Sequence, residues 1–119
     1  MFRLTRRRSK YGVLLDKQGK QARTLDGIVF HSKKECDRYA ELKLLQAARI
    51  IRGLELQKEY PLIVNDMTIG TYVADFVYWH NEEQQVIVED VKSPGTQTPV
   101  YRLKAKLVSA LYGIRILET

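Results

Sequence analysis

The chain has 119 residues, of which 45% are hydrophobic and 29% charged, and this length and composition suit one compact domain with a single core. No apolar run approaches the roughly 18 residues that a membrane span needs, and nothing resembles a secretory signal. The single cysteine, Cys36, excludes an internal disulfide and a zinc site built on several cysteines. These features predict a cytoplasmic protein.

The formal net charge of +6 is concentrated at the two ends of the chain. Residues 1–24 carry eight Arg or Lys against one acid, Asp16, and a second basic cluster comprises Arg102, Lys104 and Lys106. Two basic ends around a nearly neutral middle favour a polyanionic partner, most simply nucleic acid. The alternative is that these residues only solvate a tail and a helix face.

The first third of the sequence predicts an arm, short hairpins and a helix. Residues 1–10 are polar and basic and suit a flexible arm, and residues 11–119 suit a single domain. Asp-Gly at 26–27 is a turn signal between extended segments. Ser32 at the N-cap and Glu35 three residues later form a capping-box pattern, and the apolar spacing behind them predicts a helix over 33–51, stopped by Gly53.

The remainder of the chain predicts a strand meander, a helix and a last strand. Pro61 favours an edge position for the first strand, and Asn-Asp at 65–66 marks a turn. The order of elements is helix, three strands, helix and strand, which predicts an α+β domain without repeats. The predicted elements are strands 54–64, 68–79 and 85–92, a hairpin connection at 80–83, a loop around 93–95, a helix at 100–112 ended by Gly113, and a strand at 114–117.

Two acids occupy positions where a carboxylate is unexpected. Glu35 shares a helix face with Tyr39 and Leu42, at i, i+4 and i+7, and this spacing turns it away from water. Asp75 interrupts the otherwise apolar strand Y-V-A-D-F-V-Y-W, where an unpaired buried carboxylate is costly or shifts its pKa. Both residues are therefore candidates for a functional site.

A second charged group lies on the next strand, in V-I-V-E-D-V-K-S at 86–93. Asp90 and Lys92 are two residues apart and share a face, whereas Glu89 points the other way. If the two strands form a hairpin, Asp75 and Asp90 come close together, and two adjacent carboxylates favour a divalent cation between them. Hard oxygen ligands argue for Mg²⁺ or Mn²⁺, and Lys92 beside them suits phosphodiester hydrolysis.

Each of these residues also has a structural interpretation. Glu35 can serve only as the capping-box partner of Ser32. Asp75 can be paired with an arginine, and Asp90 can form an ion pair with Lys92 at a solvated strand edge. The structural interpretation requires three separate coincidences on elements that the predicted fold brings together. The functional interpretation is therefore favoured.

The chain resembles the PD-(D/E)XK nuclease superfamily, whose core is a helix, a three-stranded meander, a second helix and a further strand. The signature of that superfamily is an acid on the first helix, an Asp on the second strand and a (D/E)-x-K on the third. The matching positions are Glu35 in F-H-S-K-K-E, Asp75 in Y-V-A-D-F-V-Y, and Asp90 and Lys92 in V-E-D-V-K.

A closer likeness is to a family of small phage and prophage endonucleases that resemble Holliday junction resolvases. It is carried by S-K-Y-G at 9–12, D-G-I-V-F at 26–30, L-E-L-Q at 54–57, A-D-F-V-Y at 74–78 and V-E-D-V-K at 88–92. One departure is Ala74, which stands where the superfamily name has a proline. Another is the Glu89-Asp90 doublet, because a register slip of one residue would bring Glu89 into the site instead.

The resemblance implies a restriction-endonuclease-like fold, with a mixed sheet flanked by helices, and a Mg²⁺-dependent DNA endonuclease in which Mn²⁺ substitutes. It implies that Glu35, Asp75 and Asp90 hold the metal and that Lys92 orients water or stabilises charge. The implied setting is a homodimer acting on branched or recombination DNA in the cytoplasm of a phage-infected or lysogenic bacterium.

The resemblance also implies a set of residues that contact DNA, mostly through phosphate and with little sequence preference. Gln57 is either on the substrate side or an ordinary surface residue. Two other functions stay open, a non-catalytic DNA-binding module on the same fold and a small basic protein that binds RNA. The expected DNA contacts are Arg6, Arg7, Arg8, Lys10, Gln57, Arg102, Lys104 and Lys106.

Overall fold

A computed structural model describes residues 5–7, 9–10, 19–92 and 97–119. The chain divides into two compact units, Met1–Glu41 and Leu42–Thr119. Arg8 and the predicted loop at 93–95 lie outside the described residues. The elements are β1 (Thr5–Arg7), β2 (Ser9–Lys10), β3 (Thr24–Leu25), β4 (Ile28–Val29), α1 (Lys33–Ala47), β5 (Ile51–Val64), β6 (Met67–His80), β7 (Gln85–Asp90), α2 (Pro99–Tyr112) and β8 (Ile116–Glu118).

The first unit contains two short antiparallel strand pairs, β1 with β2 and β3 with β4. The first pair falls within the predicted arm, whose flexibility and boundary stay predictions. Asp26 and Gly27 join β3 to β4 with φ of 53° and 75°, and positive φ at both turn residues is what a type I′ hairpin requires. The Ser32 hydroxyl accepts a hydrogen bond from the Glu35 amide at 3.0 Å, so the predicted N-cap of α1 is confirmed.

Helix α1 ends at Ala47, four residues before the predicted end. Arg49 adopts a left-handed conformation, with φ of 63°, and the Ile50 amide donates to the Leu45 carbonyl at 2.9 Å. This is a Schellman ending with arginine in the position that glycine usually takes. Gly53, predicted to stop the helix, instead lies in β5 with φ of 67° at a register shift against β6.

The second unit is built on a mixed four-stranded sheet in the order β5-β6-β7-β8. Strands β5, β6 and β7 form the predicted antiparallel meander, and β8 is parallel to β7. Pro61 lies in the edge strand β5, as predicted, because an edge strand tolerates a residue without an N–H donor. The α+β class with a mixed sheet is therefore confirmed.

Helix α2 packs on one face of this sheet, over β5 and β6. The Thr98 hydroxyl caps its first turn by accepting from the Tyr101 amide at 3.1 Å, and Gly113 ends it with φ of 66°. An apolar cluster of buried side chains lies between α2 and the strands. The buried members are Tyr60, Leu62, Tyr72, Ala74, Val77, Val88 and Val108.

A helix that spans a bilayer must be both long and predominantly apolar. In the described ranges, neither α1 nor α2 meets both requirements.

Candidate functional site

Strands β6 and β7 bring Asp75 and Asp90 together. Phe76 lies opposite Glu89 in the antiparallel register, which places the two aspartates side by side at the next step. The Asp75 amide lies 3.4 Å from Asp90 Oδ1, and the Val91 amide donates to Asp75 Oδ2 at 2.9 Å. The predicted proximity of Asp75 and Asp90 is confirmed. Asp75, Asp90 and Lys92 together form the Asp75–Asp90 site.

Asp90 is the buried carboxylate of this site, with 3% of its surface exposed. The Tyr72 hydroxyl donates a hydrogen bond to Asp90 Oδ2. Burial raises the pKa of Asp90 to about 6, although the Lys92 ammonium and the Asp75 amide both act to lower it. The loss of hydration therefore outweighs the favourable interactions with the charged carboxylate.

Lys92 lies beside Asp90 and over an aromatic ring. Its Nζ is 3.7 Å from the centroid of the Tyr101 ring, well within the range of a cation–π contact. The Tyr101 hydroxyl donates to Glu118 Oε2 at 2.9 Å. Burial and the two neighbouring carboxylates raise the pKa of Tyr101. The phenol therefore remains a proton donor at neutral pH.

Asp75 is half-buried and accepts a hydrogen bond from Gln57 as well as from the Val91 amide. Gln57 Nε2 donates to Asp75 Oδ1 at 3.1 Å from the neighbouring strand β5. Gln57 is exposed and has φ of 53°, an unusual conformation for a non-glycine residue within a strand. The hydrogen bond places Gln57 next to Asp75, and its contact with DNA stays a prediction.

Glu89 faces away from Asp90, as the alternation of the strand predicted. Its side chain is fully buried, and Glu89 Oε2 accepts a hydrogen bond from the Tyr78 hydroxyl. Thr119 Oγ1 lies 3.4 Å from Glu89 Oε1. The strand register therefore places Asp90, and not Glu89, next to Asp75.

Glu35 belongs to the first unit, in the first turn of α1. It is buried, as are Tyr39 and Leu42 on the same helix face, so the predicted orientation away from water is confirmed. His31 Nδ1 lies 3.9 Å from Glu35 Oε1, on a largely exposed imidazole. The association of Glu35 with Asp75 and Asp90 stays a prediction.

Two structural alternatives disagree with the geometry. Asp90 does not lie at a solvated edge, because it is buried and β7 lies between β6 and β8. Asp75 takes its side-chain hydrogen bonds from Gln57 and Val91 instead of an arginine, within the described residues. Across that same part of the chain, no three His, Cys, Asp or Glu side chains are grouped so as to hold a metal ion together.

A groove between α2 and the segment leading into β8 carries part of the predicted basic surface. It has a volume of about 590 Å³, and Tyr101 and Glu118 lie where it adjoins Lys92. Lys106 and Arg115 contribute cations to its walls. Arg115 was missed by the sequence reasoning because only the parallel strand β8 brings it near α2. The complete lining is Tyr101, Ala105, Lys106, Ser109, Ala110, Arg115, Ile116 and Glu118.

The other predicted DNA contacts are distributed along the chain. Arg102 donates to the Gln97 carbonyl at 2.7 Å, and Lys104 is half-buried next to Gly70. Among the N-terminal candidates, the structure describes the backbone of Arg6, Arg7 and Lys10, which lie in β1 and β2.

Three further residues of the site had no clear sequence signal. Tyr72 and Tyr101 occupy positions typical of apolar residues in a strand and a helix, although the Tyr72 hydroxyl donates to Asp90 and the Tyr101 ring contacts Lys92. Glu118 lies at the end of a short strand, and only the fold places it against Tyr101.

The fold and site together define an α+β protein with a mixed sheet and a carboxylate–lysine site. The chain belongs to the family described as "Protein of unknown function (DUF1064)", whose model matches residues 9–116. Neither the curated proteins nor the solved structures contain a match to the chain.

Proposed function

We propose that the protein is a metal-dependent DNA endonuclease that hydrolyses phosphodiester bonds on a restriction-endonuclease-like core. The observation that carries this proposal is the convergence of Asp75 on β6, Asp90 at the end of β7 and Lys92 two residues beyond it. Two aspartates on neighbouring strands, with an ammonium near one of them, supply a donor set suited to a divalent cation and a phosphate.

The donor set fits Mg²⁺, with Mn²⁺ as a substitute, because the carboxylates are hard oxygen ligands. Asp75 is half-buried, and each of its oxygens retains a lone pair beyond its one hydrogen bond. Asp90 is desolvated, and a neighbouring cation would favour its charged form. Asp75 and Asp90 would hold the ion, and Glu35 is the third ligand that the superfamily resemblance implies.

The bound metal would polarise the scissile phosphate and lower the pKa of an attacking water. The protein residues would supply position and charge. Lys92 would orient that water or stabilise the charge that develops on the phosphate, and Gln57 would hold the Asp75 carboxylate from β5.

The resemblance to small phage endonucleases extends this proposal to the substrate. Branched or recombination DNA is the proposed substrate class, and a phage-infected or lysogenic bacterial cytoplasm is the proposed setting. A homodimer would supply the two active sites that are needed to cut two strands.

The test is a cleavage panel of junction, flap and linear duplex DNA with Mg²⁺, Mn²⁺ or EDTA. We expect metal-dependent cleavage by the wild type and a loss of at least about a hundredfold in Asp75→Asn, Asp90→Asn and Lys92→Met. Asp66→Asn is a matched control, because Asp66 lies in the β5–β6 turn with φ of 65°, which asparagine also tolerates. Wild-type rates in Asp75→Asn would rule out the proposed site.

A second candidate, a non-catalytic nucleic-acid-binding module, is favoured by one observation. Every carboxylate oxygen of Asp75 and Asp90 already lies near a donor of the protein itself, so the pair is also compatible with a structural role. This candidate predicts DNA or RNA binding without cleavage in either metal. It also predicts that Asp75→Asn leaves the binding affinity unchanged.

A further inference from the structure

The Lys92–Tyr101 contact joins the Asp75–Asp90 site to helix α2. A lysine side chain has four rotatable bonds, so its ammonium needs an external contact to hold one position. The Tyr101 ring provides that contact at 3.7 Å from Nζ to the ring centroid. The Tyr101 ring lies beside Asp90, because its centroid is 6.4 Å from that of Tyr72, whose hydroxyl donates to Asp90 Oδ2.

The Tyr101 ring is itself fixed at both ends. Its backbone amide donates to the hydroxyl of Thr98, the N-cap residue of α2, at 3.1 Å. Its hydroxyl donates to Glu118 Oε2 at 2.9 Å, and Gln97 Nε2 donates to the other carboxylate oxygen at 3.0 Å. Hydrogen bonds from two sides orient the Glu118 carboxylate, and that carboxylate anchors the end of the ring.

The backbone of the Asp90–Lys92 segment is fixed by the same C-terminal strand. The Thr119 amide donates to the Asp90 carbonyl at 2.9 Å, and the Lys92 amide donates to the Thr119 carbonyl at 3.0 Å. The end of β8 therefore holds the main chain beneath Lys92, while Glu118 holds the ring against its side chain.

We propose that Tyr101 is a positioning residue that orients the Lys92 ammonium for phosphodiester hydrolysis, with Glu118 as its anchor. This inference rests on the proposed nuclease function for its effect on rate, but its structural part is independent of that function. The aromatic face is the essential group, and the hydroxyl serves mainly to restrict the ring.

The spectroscopic test uses the ring current of Tyr101. Protons above an aromatic face are shifted upfield, so the Lys92 Hε resonances of the full chain should lie upfield of other lysines. Tyr101→Phe should retain this shift, and Tyr101→Leu should abolish it. Tyr112→Leu is the control, because it removes a tyrosine from the same helix that contacts Tyr60. Unshifted Lys92 resonances in the wild type would overturn the proposal.

The kinetic test compares the same variants on the DNA that the wild type cleaves. We expect Tyr101→Leu to lower kcat by about tenfold with KM unchanged, and Tyr101→Phe to stay within about threefold of the wild type. In a Lys92→Met background, Tyr101→Leu should have no further effect, because the group that it positions is gone. If Tyr101→Leu lowered kcat in the Lys92→Met background as much as in the wild type, Tyr101 would not act through Lys92.

The two proposals fail in different ways. A wild type that cleaves no DNA with either metal defeats the nuclease function, while the Lys92 resonances still decide whether Tyr101 holds the ammonium. Conversely, if Tyr101→Leu cleaves DNA with the wild-type kcat, only the positioning role is defeated.

Discussion

The carboxylate of Asp90 is in an environment that opposes its charge. It is 3% exposed, and the desolvation that follows raises its pKa from 3.8 to about 6. The Tyr72 hydroxyl and the Asp75 amide stabilise the charged form but do not replace the lost hydration. Such an arrangement favours either a proton or a cation at Asp90, which is the physical basis for regarding it as a ligand.

This environment makes the stability of the protein depend on pH through Asp90. Because the folded pKa is the higher one, the folded state retains a proton that the unfolded chain loses, and the resulting stabilisation is complete below about pH 3.8. It is lost as the pH rises through about 6. Relative to Asp90→Asn, the wild-type free energy of unfolding should fall by about 2 kcal/mol between pH 4 and 7.

Urea unfolding in EDTA across this pH range measures the effect of Asp90. Asp66→Asn is the control, since Asp66 is exposed in a turn and its replacement should leave the pH dependence unchanged. Parallel stability curves for the wild type and Asp90→Asn would contradict the assignment of this pH dependence to Asp90.

At the level of elements, the local signals in the sequence predicted most of the fold. The Asp26-Gly27 turn, the Ser32 cap and the meander rest on short-range steric and hydrogen-bonding preferences that a sequence displays directly. The predicted end of α1 was wrong, because Arg49 adopts the left-handed conformation that glycine usually takes after a helix. The Tyr101 contact to Lys92 was not predictable, because it depends on how α2 packs on the sheet.

Strand β5 carries a second departure from local preference, at Gln57. Its φ of 53° is unfavourable for a residue with a Cβ atom, and it occurs where the side chain donates to Asp75. We expect Gln57→Gly to be more stable than Gln57→Ala by about 1 kcal/mol, because both variants lose the hydrogen bond and only glycine relieves the strain.

Denaturant unfolding of the two Gln57 variants gives this difference directly. Gly70→Ala serves as a control, because Gly70 lies in β6 and does not have a positive φ. An added Cβ there would lie 3.7 Å from its nearest neighbour, the Lys104 side chain, which is an ordinary contact distance. Gly70→Ala should therefore not show the same penalty for alanine. Equal stability of the two Gln57 variants would show that β5 changes its conformation when the glutamine is removed.

On the scale of the whole molecule, charge is arranged so that a polyanion could approach the site. The groove between α2 and β8 carries Lys106 and Arg115, and Tyr101 and Glu118 join it to Lys92. A phosphate backbone lying along this groove would lead towards the Asp75–Asp90 site. Under the proposed function, this surface would bind nucleic acid in the nuclease and in the binding module alike.

The salt dependence of DNA binding tests this groove. Each phosphate neutralised by the protein contributes about −0.9 to the slope of log K against log salt concentration, so Lys106→Ala/Arg115→Ala should make that slope shallower by about 2. Fluorescence anisotropy between low and moderate salt, in EDTA to prevent cleavage, measures the slope. The matched control is Arg52→Ala/Lys58→Ala, which removes the same two charges from β5, the opposite edge strand. An equal reduction by both double variants would indicate a diffuse charge effect, and no reduction by Lys106→Ala/Arg115→Ala would place the DNA elsewhere.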